Sequence, residues 1–304
     1  MRYLSPLLLL TFLLSSISCS SNRERATSSS PFDKGNLHVW AYEEYDAVER
    51  TPEERAQVLV DLGISKAAFI CRNEARVSEF EAYVEAYRDA GIELVGVWTP
   101  IHTDNPLEEI QIKTFLEVVD RQQLRIQWWL TLEQNYDAMG DSVRVDDALE
   151  RLRPLVSEAN KRGCPLVLYG HGTNRWFTQA ENQLDILDRL QSEMPTAELG
   201  IIYNFHQSHA QMDRLANVFP RLQPYLTALN LNGMHSDGPK IARIGQGDNE
   251  KRMIDIVSRS GWRGPTGIIA HDRKQDAALT FQENLAGLKR ILEELGLDEV
   301  AATY

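Results

Sequence analysis

The chain has 304 residues, 43% of them hydrophobic and 25% charged, the balance of a soluble globular protein that holds two average domains or one large barrel. Its formal net charge of −12, with no dense Lys/Arg run, repels phosphate backbones and argues against nucleic acid as a partner. Three cysteines, none in a CxxC pair, support neither a zinc ribbon nor a redox motif.

The N-terminal stretch MRYLSPLLLLTFLLSSISC has one early Arg, an apolar core over Leu7–Leu14 and small residues before Cys19. That is the pattern of a secretory signal over 1–18, too short to span a bilayer comfortably. Its ending resembles a bacterial lipoprotein signal, with Cys19 as the lipidated first mature residue. Ser16 departs from the aliphatic residue usual there, and plain cleavage after Ser18 is the alternative. The chain is therefore expected to be exported, as a periplasmic lipoprotein or a soluble periplasmic protein, touching a membrane only through a lipid at Cys19. The polar tract over 19–35 is expected to be a flexible tether.

From residue 36 to 304 the sequence alternates. Short runs rich in Val, Ile and Leu predict strands at Leu37–Tyr42, Lys66–Cys71, Ile92–Trp98, Ile126–Thr131, Cys164–Tyr169, Glu198–Tyr203, Leu226–Leu231 and Gly264–Ala270. Cys71 and Cys164 fall in such runs and read as buried free thiols. Helical patterns lie between the strands. Thr51–Gly63 has a Thr cap, Pro at the first helical position, Glu three after the cap and a closing Gly. Val77–Gly91 carries Phe80, Tyr83, Val84 and Tyr87 on one stripe. Asp104–Gln122 and Asp146–Gly163 repeat the idea, and Gln275–Leu295 reads as the longest helix. Eight β-then-α units predict an α/β fold, a closed (β/α)8 TIM barrel. An open dinucleotide-binding sheet would need GxGxxG after its first strand, and none stands there.

A barrel enzyme keeps its site at the carboxyl ends of its strands. Of the seven histidines, six follow predicted strands: His102, His171, His206, His209, His235 and His271, while His38 begins the first. Glu43, Glu44, Arg72 and Glu133 stand at the same rim. Asn230 and Asn232, two apart, face one side of their strand. Strand alternation likewise pairs Asn204 with His206. Paired amides, imidazoles and a guanidinium suit a polyhydroxylated ligand, so a small-molecule carbohydrate is the expected partner. Trp40, Trp98, Trp128, Trp129 and Trp176 are candidates to stack on a sugar face. For Trp128 or Trp129 core packing is the better reading, because adjacent strand residues face opposite ways.

At IGQGDNEKRMIDIVSRSGWRGPTGIIAHD (Ile244–Asp272) the sequence resembles the xylose isomerase-like TIM-barrel superfamily, through Gly245 and Gly247 after strand seven and Gly261, Trp262, Gly264 and Pro265 before strand eight. LYGHGTNRWF, YNFHQSH and LNLNGM resemble an exported bacterial subgroup. The resemblance implies metal-assisted proton transfer at a sugar carbon through an enediolate, with carboxylates on strands five and eight. This sequence departs from that set. Near Tyr169 or His171, at Tyr203 or Asn204, at Asn230 or Asn232, and at Ile269, the family's ligand positions are not carboxylates. Two readings stay open: one divalent metal (zinc, manganese or iron) on His171, His206 and His271, or histidine acid/base chemistry without metal.

The expected function is an exported sugar isomerase or epimerase, or a related lyase. His206, His171 and Glu133 are its catalytic candidates, and Arg72, Trp176, Asn204, His209, Asn230 and Asn232 its substrate-binding candidates. Asp248 reads as a helix cap whose charge opposes phosphate at IGQGD, which favours a neutral sugar or keto-sugar derivative. The alternative is a carbohydrate-binding barrel without catalysis. An abasic-site endonuclease on this fold is disfavoured by the acidic charge and the export signal.

Overall fold

The computed structural model describes residues 30–172 and 176–304. The signal over 1–18 and Cys19 lie outside them, as do Thr173, Asn174 and Arg175. Eight parallel strands close into one barrel in sequence order: β1 (Leu37–Trp40), β2 (Lys66–Ile70), β3 (Glu93–Ile101), β4 (Gln127–Leu132), β5 (Leu166–Tyr169), β6 (Leu199–Asn204), β7 (Leu226–Leu231) and β8 (Thr266–Ile269). β1 pairs with β8 from Leu37–Thr266 to Trp40–Ile269, which completes the ring. The helices α1 (Pro52–Asp61), α2 (Glu74–Asp89), α3 (Ile110–Gln122), α4 (Asp141–Arg162), α5 (Ala180–Glu193), α6 (Leu215–Leu222), α7 (Glu250–Arg259) and α8 (Ala277–Glu294) each follow a strand, and α9 (Asp298–Ala301) ends the chain. The (β/α)8 barrel is thus the observed architecture. No helix among the described residues is long and apolar enough to cross a membrane.

Local signals account for the element ends. Thr51 and Glu54 form the reciprocal capping box of α1, with Pro52 in the first turn. The Asn73 side chain caps α2 by accepting from the Arg76 N–H at 3.0 Å. Pro106 splits the third predicted helix: Pro106–Glu108 is a 3-10 turn and α3 begins at Ile110. The longest helix is α4, with 22 residues against 18 in α8, and not the last one as the pattern suggested. It starts five residues before the predicted Asp146 and runs through Pro154 to Gly163, whose φ of 64° ends it. Residues 30–35, read as tether, belong to the domain. Phe32 is fully buried, and its carbonyl accepts from the Tyr304 hydroxyl at 2.7 Å. One aromatic anchor in a polar tract suffices to dock it. Cys71 and Cys164 are both buried and free.

Strand alternation divides the tryptophans. Trp128 faces the helices and packs on Phe115, whereas Trp129, Trp98 and Trp40 point into the barrel with Tyr169. Trp129 and Tyr169 stack at 6.2 Å and 2°, and Trp40 lies 5.0 Å from Tyr169 and 6.0 Å from Trp129. Burying each such ring contributes roughly 4–6 kcal/mol by area. Small residues make room. A Cβ on Gly96 would strike the Trp129 indole, and one on Gly267 would strike Asn230 Oδ1 and His38 Nε2. His38 is fully enclosed, edge-on to Trp129 at 5.8 Å, and burial drives its pKa down to about 3, so it is a neutral core histidine.

β1 stops at Trp40, two residues short of prediction, because Ala41 adopts a φ of 58°. The turn sends Glu43 away from the rim and into the layer beside α1 and α2. There its charge is felt by Cys71, Tyr83 and Tyr87, and it feels that of Arg55. Glu43 is 4% exposed, and neither of its carboxyl oxygens has a hydrogen-bond partner among the described residues. Burial raises its pKa from 4.5 to about 7, and Arg55 only partly offsets this.

Two outcomes are expected. Gly267→Ala should lower unfolding free energy by about 1–3 kcal/mol, since the added methyl meets the His38 and Asn230 side chains. For Glu43 the folded state favours the protonated form. Its contribution is complete below about pH 4.5 and is lost as pH rises through about 7. Glu43→Gln should therefore stabilise the protein by up to about 3 kcal/mol at pH 8 and by nothing at pH 4. Urea unfolding across this range checks both the size and the sign.

Candidate active site

The carboxyl ends of the strands enclose a cavity of about 340 Å³. Trp40, one of the rings that fill the barrel, forms its floor together with Ile70 and Ile269. Three imidazoles face it: His171 after β5, His206 after β6 and His271 after β8. Of the six histidines predicted at this rim, these three converge. His102 is exposed, and His235 is half-buried, 3.7 Å from Asp248. His209 turns back, its Nδ1 donating to the His206 carbonyl at 3.1 Å, and so supports the loop rather than the cavity wall.

His206 reaches the wall by a different route from the one expected. β6 ends at Asn204, and Phe205–Gln207 forms a 3-10 turn, so strand alternation does not carry past Asn204. The turn places His206 inward at 5% exposure. Burial holds its pKa well below the usual imidazole range, and the neighbouring His171 and His271 push it the same way. His271 has a φ of 39°, and its ring lies 4.2 Å from that of Tyr45. Although much of the residue is open to solvent, desolvation and then the Arg273 charge also lower its pKa. His171 lies over Trp98 at 4.8 Å, with its Nδ1 3.5 Å from Glu133 Oε1. Glu133 stands behind this ring and does not line the cavity, so it can act only through His171.

Arg72 is on the wall, but it is committed. Its Nε and one terminal nitrogen donate to both oxygens of Glu44 at 2.8 and 3.0 Å, and its guanidinium lies 4.9 Å from the Trp98 ring. The amides predicted to bind substrate lie below or beside the cavity. Asn230 Nδ2 donates to Asn204 Oδ1 at 2.7 Å, and Asn204 Nδ2 donates to the Gly170 carbonyl at 3.2 Å. They form a buried polar seam between β5, β6 and β7. Asn232 Nδ2 donates to the carbonyls of Gly233 and Lys240 and closes the loop after β7. Trp176 packs on Tyr136 at 5.1 Å, outside the barrel, because the chain after β5 runs outward toward α5. Its N–H donates to Asp137 at 3.1 Å.

Sequence reasoning missed Tyr45, Gln207, Lys240 and Ile241, all on the wall. The loop from Gly233 to Ala242 folds over the mouth and is pinned by two backbone bonds of 2.8 and 3.1 Å between those residues. Its Gly238-Pro239 step was the available signal for a loop with a fixed course. The cap of the next helix also differs from expectation. Glu250, 1% exposed, accepts from the N–H groups of Met234, Gly245 and Gly247 at 3.0, 2.9 and 2.8 Å. The anion at IGQGD is thus the protein's own carboxylate, and Asp248 instead accepts from the Ser236 N–H.

The metal reading is tested by the donor set. His171, His206 and His271 share one cavity, but among the described residues no three His, Cys, Asp or Glu side chains are grouped so as to hold an ion. No carboxylate lines the wall to complete a sphere, and Arg72 and Lys240 stand on it. The residues present do not fit the carboxylate-rich centre that the sequence resemblance implied.

No protein-family model matches the chain, and no curated protein matches it in sequence. Solved structures do match in fold. The 3-keto-D-glucoside 4-epimerase YcjR of E. coli is 14% identical, with a TM-score of 0.61 over 84% of this chain and 100% of its own. A D-allulose 3-epimerase from Methylomonas sp. is 11% identical, with a TM-score of 0.63 over 86% and 99%. The probable 3-DHS dehydratase AsbF from Bacillus anthracis is 10% identical, with a TM-score of 0.61 over 81% and 97%. In its fold, this chain is a (β/α)8 barrel similar to those of these proteins.

Proposed function

We propose that this chain is an enzyme of the sugar isomerase and epimerase kind, moving a proton at a carbon next to a carbonyl of a sugar or keto-sugar derivative. One observation carries the reading: three imidazoles from separate βα loops face one enclosed cavity over a tryptophan floor. An imidazole kept neutral by burial is ready to accept a proton at neutral pH, and His206 is held in that state. His171, with Glu133 Oε1 3.5 Å from its Nδ1, is the second proton carrier, and the carboxylate acts on the ring by charge rather than by a hydrogen bond. Trp40, Ile70 and Ile269 supply the apolar surface on which a sugar face rests. Structural neighbours that are sugar epimerases support this choice among the chemistries a barrel can host.

A second reading, a carbohydrate-binding barrel without catalysis, draws on the carboxylate-free wall among the described residues. Solvent exchange separates the two. In D2O, the protein should incorporate deuterium next to the carbonyl of a ketohexose or a 3-keto-glucoside, followed by NMR. His206→Ala should slow this by about 10²–10⁴-fold. Binding of such sugars with no exchange in the wild type would establish the second reading and end the first.

Export belongs to the same proposal, on the signal read over 1–18, with Cys19 as the lipid-bearing residue. Radiolabelled palmitate should enter the wild-type chain in a bacterial host and not the Cys19→Ala variant. Export of an unlabelled wild type would mean simple cleavage.

A further inference from the structure

The cavity wall is positive in a chain whose formal net charge is −12. Its ionic side chains among the described residues are Arg72 and Lys240, with no Asp or Glu. The two cations differ. Arg72 is neutralised by its two-point pairing with Glu44, whose side chain is 8% exposed. The Lys240 ammonium has no carboxylate within 4 Å and no hydrogen-bond acceptor among the described residues. It is close enough that its charge weighs on both His206 and His209. Two carboxylates near the cavity are engaged elsewhere, Glu44 by Arg72 and Glu133 beside His171. Lys240 does not swing on a free loop either. Its carbonyl accepts from Asn232 at 3.1 Å, inside the Gly233–Ala242 closure, so its stem starts from a fixed point above the cavity.

Lys240 is exposed, and an ammonium without a carboxylate partner, on a pinned loop at the wall of an apolar-floored cavity, is available to a ligand anion. We propose that the sugar bound here carries a carboxylate, as in a hexuronate or its keto derivative, with Lys240 as its counterion. This rests on the carbohydrate reading above and replaces the neutral sugar expected from sequence. A carboxylate suits the site better than a phosphate ester. One point charge is free, the guanidinium is already occupied, and the backbone N–H groups near this loop that could cradle a phosphate are taken by Glu250.

The test is calorimetric titration with matched pairs, D-glucose against D-glucuronate and D-galactose against D-galacturonate, with D-glucose 6-phosphate as a further arm. At least one uronate should bind about 10-fold or more tightly than its neutral partner at low ionic strength, with the difference shrinking in salt. Lys240→Met should abolish that difference and Lys240→Arg should keep it. Lys161→Met, on the exposed end of α4, should leave it unchanged. The Met and Arg variants retain the backbone carbonyl that closes the loop. Equal binding of acid and neutral sugar, or a preference that survives Lys240→Met, overturns the proposal and leaves the carbohydrate reading intact. Tighter binding of the phosphate ester overturns the carboxylate. Binding of no sugar of either kind overturns both readings.

Discussion

The structure depends on how the barrel is filled. Three tryptophans and a tyrosine occupy an interior that branched aliphatics fill in most barrels of this size. Rings of that volume close the cylinder only where facing positions are small. Ala68, Ala228, Gly96 and Gly267 supply that space. The packing has two consequences above it. It fills the middle of the barrel with rings, and the cavity lined by the three imidazoles lies at the carboxyl ends of the strands. It also makes the floor of that cavity aromatic, which withdraws the side chains beside it from water. His206, in the turn after β6, is buried at this level, and burial keeps it neutral.

Charge is organised on the same principle. The chain is acidic, yet several of its acids near the mouth are already paired with arginines. Glu44 holds Arg72 at 2.8 Å, Asp46 holds Arg50 and Arg55 at 2.7 and 3.3 Å, and Asp276 holds Arg50 at 2.9 Å. These pairs fasten the loops after β1 and β2 and the start of α8 to one another. They also remove negative potential from the rim. The cavity wall is thereby positive although the molecule is not, and Lys240 differs from Arg50, Arg55 and Arg72 in having no such partner among the described residues.

Much of the fold was legible in the sequence because it rests on local rules. The βα rhythm, the Thr51–Glu54 box and the opposite facing of Trp128 and Trp129 each follow from spacing alone, and the structure keeps them. The site was legible only in part. His171, His206 and His271 could be placed at one rim by counting strands. That His209 would turn to a backbone carbonyl three residues away could not, because a 3-10 turn replaces the strand after Asn204. Asn230 and Asn204 read as ligand-binding amides because each finds its partner on the neighbouring strand, and pairing between strands has no signature in one sequence. Glu43 and Trp176 were misplaced too. Glu43 follows Ala41, where a single φ decides which layer the side chain enters, and Trp176 packs on Tyr136, a contact with no local sequence signature.

The donor set at the mouth bears on what kind of ligand the fold has been adapted to here. A site for a hard divalent cation collects anionic oxygens, because their charge offsets the cost of stripping the ion of water. Among the described residues this wall collects imidazoles, a paired guanidinium and an unpaired ammonium, while Glu44 is held by Arg72 and Glu133 lies beside His171. A positive charge introduced there would be repelled by Lys240, whereas a negative one would be attracted. The same polarity bears on proton transfer. Removing a proton next to a carbonyl builds negative charge on the carbonyl oxygen, and a wall that carries a fixed positive charge stabilises it as it forms. Burial supplies a neutral base in His206, and the loop after β7 supplies the opposing charge. The two elements, one a product of the barrel's packing and the other of a pinned loop, meet only in the folded chain.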